Sequence, residues 1–151
     1  MAVDDDGGAV VVDTMVFSWM FGDLSTEPRR TYATLLQGRP LVLAAQTVAE
    51  LRAGARMRSW GDKRRADLDE RIRRVSVASV DNATVNAYVD LKVECTVQGL
   101  GFDNKVHDGD RWIAATAIRF GLPLVSHDTI FLRVPGLSPI TELPPDTPRE
   151  P

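Results

Sequence analysis

Two aspartates stand where predicted β-strands end. Asp13 directly follows the apolar run 9–12, which is typical of a strand buried on both faces, and Asp128 closely follows a second such run at 124–126. Strands that are joined through helices run parallel, and parallel sheets bind their ligands beyond the carboxyl ends of the strands. We therefore expect the carboxylates of Asp13 and Asp128 to project toward the same edge of one sheet.

Two further acids lie on predicted helices. Asp110 precedes apolar residues at helical spacing within 113–118 and so falls on the line of a buried stripe. A carboxylate on a buried face costs free energy unless it is paired, hydrogen-bonded or bound to a metal. Glu50 has Ala49, Ala53 and Gly54 around it, a surface of small residues that a backbone or a substrate can approach closely.

Carboxylates gathered without Lys or Arg between them repel one another, and a hard divalent cation, Mg²⁺ or Mn²⁺, relieves that repulsion. Such an ion lowers the pKa of a bound water and stabilises the attacking and leaving oxygens of a phosphodiester. Hydrolysis of a nucleic-acid backbone is the reaction that this set of residues predicts. Thr14 and Ser126 neighbour the two strand-end acids and could hold a metal-bound water or a carboxylate oxygen.

Each of these residues also has a simpler explanation. Aspartate is a favoured N-cap, which would account for Asp13 and Asp128, and the helix dipole favours an acid in the position of Asp110. Glu50 could be a solvated helix residue, and the two hydroxyls could belong to turns. Four separate explanations of this kind account for the four acids less simply than one shared site does.

Composition limits the class of protein. The chain has 151 residues, 44% of them hydrophobic, which suits one soluble domain with its own core. The formal net charge of −3 excludes a uniformly basic protein that binds nucleic acid by bulk charge, so a polyanion must meet a local patch. One cysteine and two histidines allow neither an internal disulfide nor a zinc site of the usual spacing.

The sequence also predicts the domain organisation and the cellular location of the protein. Residues 1–8 and the Pro-rich segment 142–151 are expected to be flexible tails around one domain at 9–141. The apolar run at 9–21 is interrupted by Asp13 and preceded by aspartates, which matches neither a signal peptide nor a membrane span. We expect a cytoplasmic protein that makes no contact with a membrane.

Strands and helices alternate in the predicted order. The predicted helices are 15–21, 26–37, 46–57, 63–74, 82–100 and 109–120, and the predicted strands are 9–12, 41–44, 75–80, 124–126 and 137–140. The long helix at 82–100 carries four valines at four-residue spacing: Val85, Val89, Val93 and Val97. This pattern predicts an α/β fold with a mostly parallel, twisted sheet of four to five strands and helices on both faces.

Residues 52–74 form a basic segment, with nine basic side chains against four acidic ones. Arg64 and Arg65 in this segment could contact a phosphate backbone, although a solvated helix face with internal ion pairs would have the same composition. Arg111 and Trp112 adjoin Asp110, and the indole could stack on a base at the mouth of the site. Packing against the sheet is the alternative for Trp112.

Large apolar side chains exceed what the first short helix can bury. Trp19 and Met20 belong to this set, and Trp60 follows the third helix. Some of them could contact a partner protein, while core packing is the simpler interpretation. His107 and His127 flank acids of the predicted site, and the sequence assigns neither of them a role.

Four segments together resemble the PIN-domain ribonucleases, and most closely the VapC-type toxins of bacterial toxin–antitoxin modules. They are Val-Val-Asp-Thr at 11–14, Val-Ala-Glu-Leu at 48–51, His-Asp-Gly-Asp-Arg-Trp-Ile-Ala-Ala-Thr-Ala at 107–117 and Leu-Pro-Leu-Val-Ser-His-Asp at 122–128 with Phe131. The resemblance covers about residues 10–140. The stretch from Asp110 to Asp128 is its most specific part.

The resemblance implies a three-layer PIN-like fold in which the first and fourth strands are neighbours, so that Asp13 and Asp128 lie side by side. Glu50 and Asp110 would complete a catalytic cluster around one or two Mg²⁺ or Mn²⁺ ions. It further implies cleavage of RNA, such as tRNA or rRNA, and inhibition by a cognate VapB-type antitoxin whose tail occupies the groove of the toxin. We expect a homodimer, although the sequence itself does not define the number of subunits.

Two positions depart from the family pattern. Gly109 stands where many members have a polar residue such as Asn, and Ile130 stands where many have a further acid. A second tightly held metal ion is therefore not implied. A non-catalytic RNA- or protein-binding module of the same fold is the alternative function. A phosphotransferase fits less well because the chain has no glycine-rich phosphate loop, and Asp13-Thr14-Met15 lacks a second aspartate.

Overall fold

The computed structural model describes residues 7–144. Its strands are β1 (Val10–Val12), β2 (Leu41–Ala44), β3 (Ser76–Ala78), β4 (Leu124–Val125) and β5 (Pro139–Ile140). Its α-helices are α1 (Thr14–Trp19), α2 (Arg29–Leu36), α3 (Ala45–Met57), α4 (Asp62–Arg73), α5 (Asn82–Val97) and α6 (Asp108–Phe120). Three short 3-10 helices lie at Gly101–Asp103, Lys105–His107 and Thr129–Arg133.

The five strands form one parallel sheet in the order β3-β2-β1-β4-β5. The order reverses at β1, whose two neighbours are β2 and β4. Val12 lies opposite Val125 in the β1–β4 pair, so the residues that follow these strands leave the sheet at the same edge. This confirms the predicted parallel sheet and the prediction that the first and fourth strands are adjacent in it.

Helices cover both faces of the sheet, as a three-layer α/β fold requires. Val10 and Val12 face a core that α1, α2, α3 and α4 complete, whereas Val11 faces a core that α5 and α6 complete. Because β1 is buried on both faces, its run of three valines needs no polar alternation. The central strand therefore places Asp13 in a buried position at the carboxyl edge of the sheet.

The ends of several elements differ from the predicted ones. Helix α2 begins at Arg29 and not at 26, because Pro28 occupies its N-cap position and the helix follows it. Helix α5 ends at Val97 and not at 100, and β3 and β5 are shorter than predicted. The buried face of α5 carries Leu91 and Cys95, which pack beside α6.

The valine line of α5 lies outside the core. The exposed fraction rises along it from 38% at Val85 to 57% at Val93 and 81% at Val97. The opposite face of the helix, with Leu91, satisfies the packing against α6, and one helix of a surface layer buries only one face. The four-residue spacing thus identified an apolar line correctly but not its burial.

Most of the two predicted flexible tails cannot be compared with the structure, since residues 1–6 and 145–151 lie outside the described residues. Within them, the backbone N–H of Glu142 donates a 2.8 Å hydrogen bond to the Tyr32 hydroxyl, so tertiary contacts continue past residue 141. Between residues 7 and 144, none of the helices has the length and apolar character that crossing a bilayer requires.

Candidate active site

Asp13 is both a helix cap and the most deeply buried acid of the site. It ends β1, and its Oδ1 accepts a 2.8 Å hydrogen bond from the Val16 N–H, which caps α1. Its Oδ2 accepts a short hydrogen bond from the Ser126 hydroxyl. Only 4% of the residue is exposed. The capping explanation and the site explanation therefore both hold for this residue.

Ser126 links the ends of the two central strands. While it donates to Asp13, its Oγ accepts a 3.0 Å hydrogen bond from the Asp128 N–H. The Asp128 carboxylate in turn accepts from the Ile130 N–H and caps the 3-10 helix that follows. One hydroxyl thus fixes the first acid and the turn that carries the second.

Glu50 is held from two sides on α3. Its Oε2 accepts a 2.5 Å hydrogen bond from the Thr14 hydroxyl, and its Oε1 accepts a 2.9 Å hydrogen bond from the Gln46 side-chain amide. The Thr14 hydroxyl also lies 3.2 Å from that of Thr47. A solvated helix residue, the simpler explanation considered for Glu50, does not fit a carboxylate whose two oxygens both accept side-chain hydrogen bonds.

Asp110 lies in the first turn of α6, and its Oδ2 is 3.2 Å from Nδ1 of His107. Gly109, beside it, faces α3. A Cβ at Gly109 would lie 2.8 Å from Oε1 of Glu50 and 2.9 Å from the Gln46 amide nitrogen. The absence of a side chain here lets the start of α6 approach Glu50 closely. This explains why the chain has glycine at position 109, where many members of the family have a polar residue.

Electrostatic interaction connects the four acids. Burial raises the pKa of Asp13 to about 6, against the lowering effect of its hydrogen bonds from Ser126 and Val16, and the charges of Asp128 and Asp110 raise it further. Burial also raises the pKa of Asp110, and Asp128 and Glu50 add to that increase while His107 opposes it. Asp13, Glu50, Asp110 and Asp128 therefore form one cluster of mutually repelling carboxylates.

The oxygen-rich, uniformly acidic composition of this cluster fits a hard divalent cation. Within residues 7–144, no three His, Cys, Asp or Glu side chains stand in positions to hold one ion together as they are oriented. Ser126, Thr14, Gln46 and His107 instead engage the carboxylates of Asp13, Glu50 and Asp110. Repulsion separates carboxylates that share no cation, so binding would require these side chains to turn inward.

The structure places Arg111 away from any surface that RNA could reach, contrary to the prediction for this residue. It is 1% exposed, and its NH1 donates to the backbone oxygens of Phe102 and Asn104 at 2.7 and 2.6 Å. Its NH2 lies 3.2 Å from Asp108 Oδ1. The guanidinium therefore ties the loop before α6 to the helix that carries Asp110.

Trp112 packs against α5. Its ring stacks on that of Tyr88 with the centroids 4.1 Å apart and the planes at 18°. The Tyr88 hydroxyl donates a short hydrogen bond to Asp108 and lies beside Arg111. Trp112 therefore has a packing role, but against a helix and not against the sheet as the alternative interpretation of the sequence had it.

Tyr32 is a residue that the sequence did not single out. It is fully buried, and its hydroxyl lies 2.8 Å from Nδ1 of His127 and 3.2 Å from the Ser126 backbone oxygen. Tyr32 thus supports the segment between β4 and Asp128 from α2. A tyrosine in an otherwise ordinary helix gives no sequence signal of this role. Gln46 was missed as well, although its position four residues before Glu50 on the same helix indicates that the two side chains can meet.

The predicted surface residues divide between two places. Trp19, Trp60 and Arg64 line one cleft that also includes Thr14 and Glu50. Met20 lies on the neighbouring groove with Phe17 and Phe21, and Arg65 pairs with Asp62 at 2.5 Å outside the cleft. The structure therefore brings Arg64 near the acidic cluster and leaves Arg65 apart from it.

The raised pKa of Asp13 predicts a pH dependence of stability. In the folded state this carboxyl keeps its proton up to about pH 6, whereas the unfolded chain loses it near 3.8, so folding is opposed as the pH rises between those values. In EDTA, Asp13→Asn should gain stability relative to wild type by roughly 3 kcal/mol as the pH rises from about 4 to above 7. Thermal and urea unfolding across this range measure the difference.

Asp81→Asn is the matched control. In the wild type, the hydrogen bond from the Arg119 side chain lowers the pKa of the Asp81 carboxyl. This carboxyl is therefore ionised above about pH 5 in both the folded and the unfolded state. The difference between this variant and wild type should therefore stay constant from about pH 5 to pH 8. If the difference in unfolding free energy from wild type stayed equally constant over that range for the Asp13 and Asp81 variants, the raised pKa of Asp13 would be contradicted.

The close approach at Gly109 predicts the effect of adding one methyl group. Gly109→Ala should leave the melting temperature within a few degrees, because flexible side-chain ends can move aside, but it should displace Glu50 and weaken divalent-ion binding by about tenfold. Titration with Mn²⁺ followed by calorimetry measures this. Gly61→Ala, which would meet no atom within 4 Å, is the control and should bind Mn²⁺ like wild type.

Comparison with solved structures gives the same fold. VapBC2 from Rickettsia felis, solved on a DNA fragment from its promoter, matches with a TM-score of 0.72 at 20% identity, over 88% of this chain and 98% of that one. DNA-bound VapBC from Salmonella typhimurium matches at 0.69 and 24% identity, over 88% and 97%. VapBC-5 from Mycobacterium tuberculosis matches at 0.61 and 25% identity, over 88% and 96%.

A search of curated protein sequences found no significant match. Comparison with protein-family models gives one result that bears directly on the site. The model of the PIN domain matches residues 10–137, which include the four acids and every strand except β5. The chain belongs to the PIN-domain family.

Proposed function

We propose that this protein is a metal-dependent endoribonuclease that acts as the toxin of a toxin–antitoxin module. The observation that carries the proposal is the cluster of Asp13, Glu50, Asp110 and Asp128 at the carboxyl edge of the sheet, with a raised pKa at its buried member. PIN domains are in general nucleases, and the matched structures are toxin–antitoxin complexes, which supports the assignment.

The four carboxylates would hold one Mg²⁺, with Mn²⁺ as a substitute. A divalent ion in this position supplies an activated water and charge stabilisation for an in-line displacement at phosphorus. The chain's own groups keep the ligands at this edge of the sheet: Ser126 holds Asp13, Thr14 and Gln46 hold Glu50, and His107 lies beside Asp110. From these positions the carboxylates would turn toward a bound ion. No nucleophilic side chain is required, so hydrolysis depends on the position of these four acids.

The alternative is a module of the same fold that binds RNA or protein without cutting it. Two observations favour the enzyme. All four acids are present, and two of them, Glu50 and Asp110, are engaged by neighbouring side chains although neither serves as a helix N-cap. Keeping Asp13 buried beside other carboxylates also costs stability, and a metal-dependent activity would account for that cost.

Metal removal and loss of one carboxylate test the activity. Cleavage of RNA should require Mg²⁺ or Mn²⁺ and stop in excess EDTA, and Asp128→Asn should lower its rate by at least about 100-fold because charge at the metal is lost while the fold is kept. Gel analysis of end-labelled RNA measures the rate, and circular dichroism measures the fold.

The control is Asp90→Asn, the same change at an exposed acid of α5 outside the cluster, which should cleave RNA like wild type. Cleavage that persists undiminished in EDTA would refute metal dependence. A sequencing map of new RNA ends after induced expression would identify the substrate, for which a tRNA or an rRNA is our proposal.

A small cognate antitoxin of the VapB type is the proposed protein partner. Trp19, Met20 and Trp60 are partly exposed at neighbouring grooves, where an apolar segment could contact them. We further propose that the protein acts in the cytoplasm, where its RNA substrate is found. The homodimer expected from the sequence stays a prediction.

Expression tests the antitoxin. The wild-type protein alone should arrest growth, and the product of the adjacent gene should restore growth and copurify with it. Met20→Glu should weaken that complex by about tenfold or more, since a charge would enter an apolar contact. Val97→Glu, at an exposed apolar position on α5, is the control and should leave the complex intact. Harmless accumulation of the active wild-type protein would contradict the toxin assignment.

A further inference from the structure

The cleft beside the acidic cluster has a mixed lining. Thr14 and Glu50 line it together with Trp60 and Arg64, in a single cavity of about 550 Å³. This volume lies in the range of sites that bind small molecules and single residues of larger ligands. A ligand that fills the cleft therefore contacts Glu50 of the acidic cluster as well as Trp60 and Arg64.

The lining of the cleft carries a net positive charge. Arg29, Arg58 and Arg64 belong to it, and among residues 7–144 Glu50 is its one acidic member. Among the described residues 7–144, none of these three arginines has an acidic partner within 4 Å, whereas the adjacent Arg30 and Arg65 are each paired with an acid. Guanidinium groups beside a cavity that form no ion pair with the protein favour an anionic ligand, and a phosphodiester chain meets that condition.

The cleft also offers flat surfaces. The guanidinium carbon of Arg64 lies 3.7 Å from the centroid of the Trp60 ring, which is stacking distance, and Arg64 is exposed on its outer side. Arg29 lies 5.8 Å from the ring centroid of Trp19 in the same cleft. Unstacked bases of single-stranded RNA bind to surfaces of this type, on aromatic rings and on arginine planes.

We propose that this cleft is a nucleotide subsite for single-stranded RNA, in which a base stacks on the Arg64–Trp60 pair while Arg29 and Arg58 contact the adjoining phosphates. This inference rests on the proposed function. It adds the residues that bind the base. A base that stacks on the Arg64–Trp60 pair has to be unpaired, because the faces of a base within a duplex are covered by its neighbours.

The neighbouring arginines Arg64 and Arg65 allow a matched test. The probe is a fluorescein-labelled single-stranded RNA of about ten nucleotides, and binding is followed by anisotropy in an Asp128→Asn background. Arg64→Gln should raise Kd about tenfold and reduce the slope of log Kd against log salt by about 0.7. Arg65→Gln removes the same charge outside the cleft and should change Kd less than about twofold.

Two variants at Trp60 separate stacking from charge. Trp60→Ala should raise Kd about tenfold or more, while Trp60→Phe, which keeps a stacking surface and fills the half-buried position, should retain most of the affinity. If the alanine variant does not fold, the phenylalanine variant and Arg64→Gln still decide the matter. The same RNA annealed to its complement should bind more weakly and respond equally to Arg64→Gln and Arg65→Gln.

Several outcomes would overturn the subsite: no measurable binding of the single strand, equal Kd values for Arg64→Gln and Arg65→Gln, or equal binding of duplex and single strand. Loss of antitoxin binding at unchanged RNA affinity in the Arg64 variant would make the cleft a peptide groove. Cleavage of the same RNA by the protein with Asp128 intact is measured in parallel. Cleavage without an Arg64 effect refutes the subsite alone, and an Arg64 effect on binding without cleavage refutes the nuclease alone.

Discussion

Repulsion between carboxylates at the carboxyl edge of β1 and β4 is the constraint on which the rest of the site depends. The fold forces Asp13 to the end of the central, doubly buried strand, and the β1–β4 pairing brings Asp128 to the same edge. Burial and neighbouring charge both disfavour the ionised form of Asp13. The surrounding donors offset part of that cost, since Ser126 and the Val16 N–H stabilise the anion.

The second requirement is that two helices from different parts of the chain meet at this edge. Gly109 permits the start of α6 to approach Glu50 on α3. Arg111 then fixes the preceding loop to the same helix by donating to the backbone oxygens of Phe102 and Asn104. Burial of one guanidinium and the omission of one side chain therefore help to position the acids.

The positions of the strands along the chain and of the four acids were accessible from the sequence because both depend on local patterns. A run of β-branched residues followed by an acid marks a buried strand end, and the family resemblance supplied the pairing of β1 with β4. The role of Arg111 was not accessible in this way. Adjacent residues on a helix point about 100° apart, so a neighbour of Asp110 in sequence faces the α5 side and not the site. Likewise, the spacing of Val89 and Val93 shows a line on α5 but not which of its two apolar faces is buried.

Tyr32 connects parts of the chain that are far apart in sequence. Its hydroxyl meets the segment after β4 through His127 and the segment after β5 through Thr141 and Glu142. The edge strand β5 is only two residues long and contributes few ladder hydrogen bonds of its own. The Tyr32 phenol therefore anchors the residues that directly follow β5, and a fragment that retains this contact has to extend through Glu142.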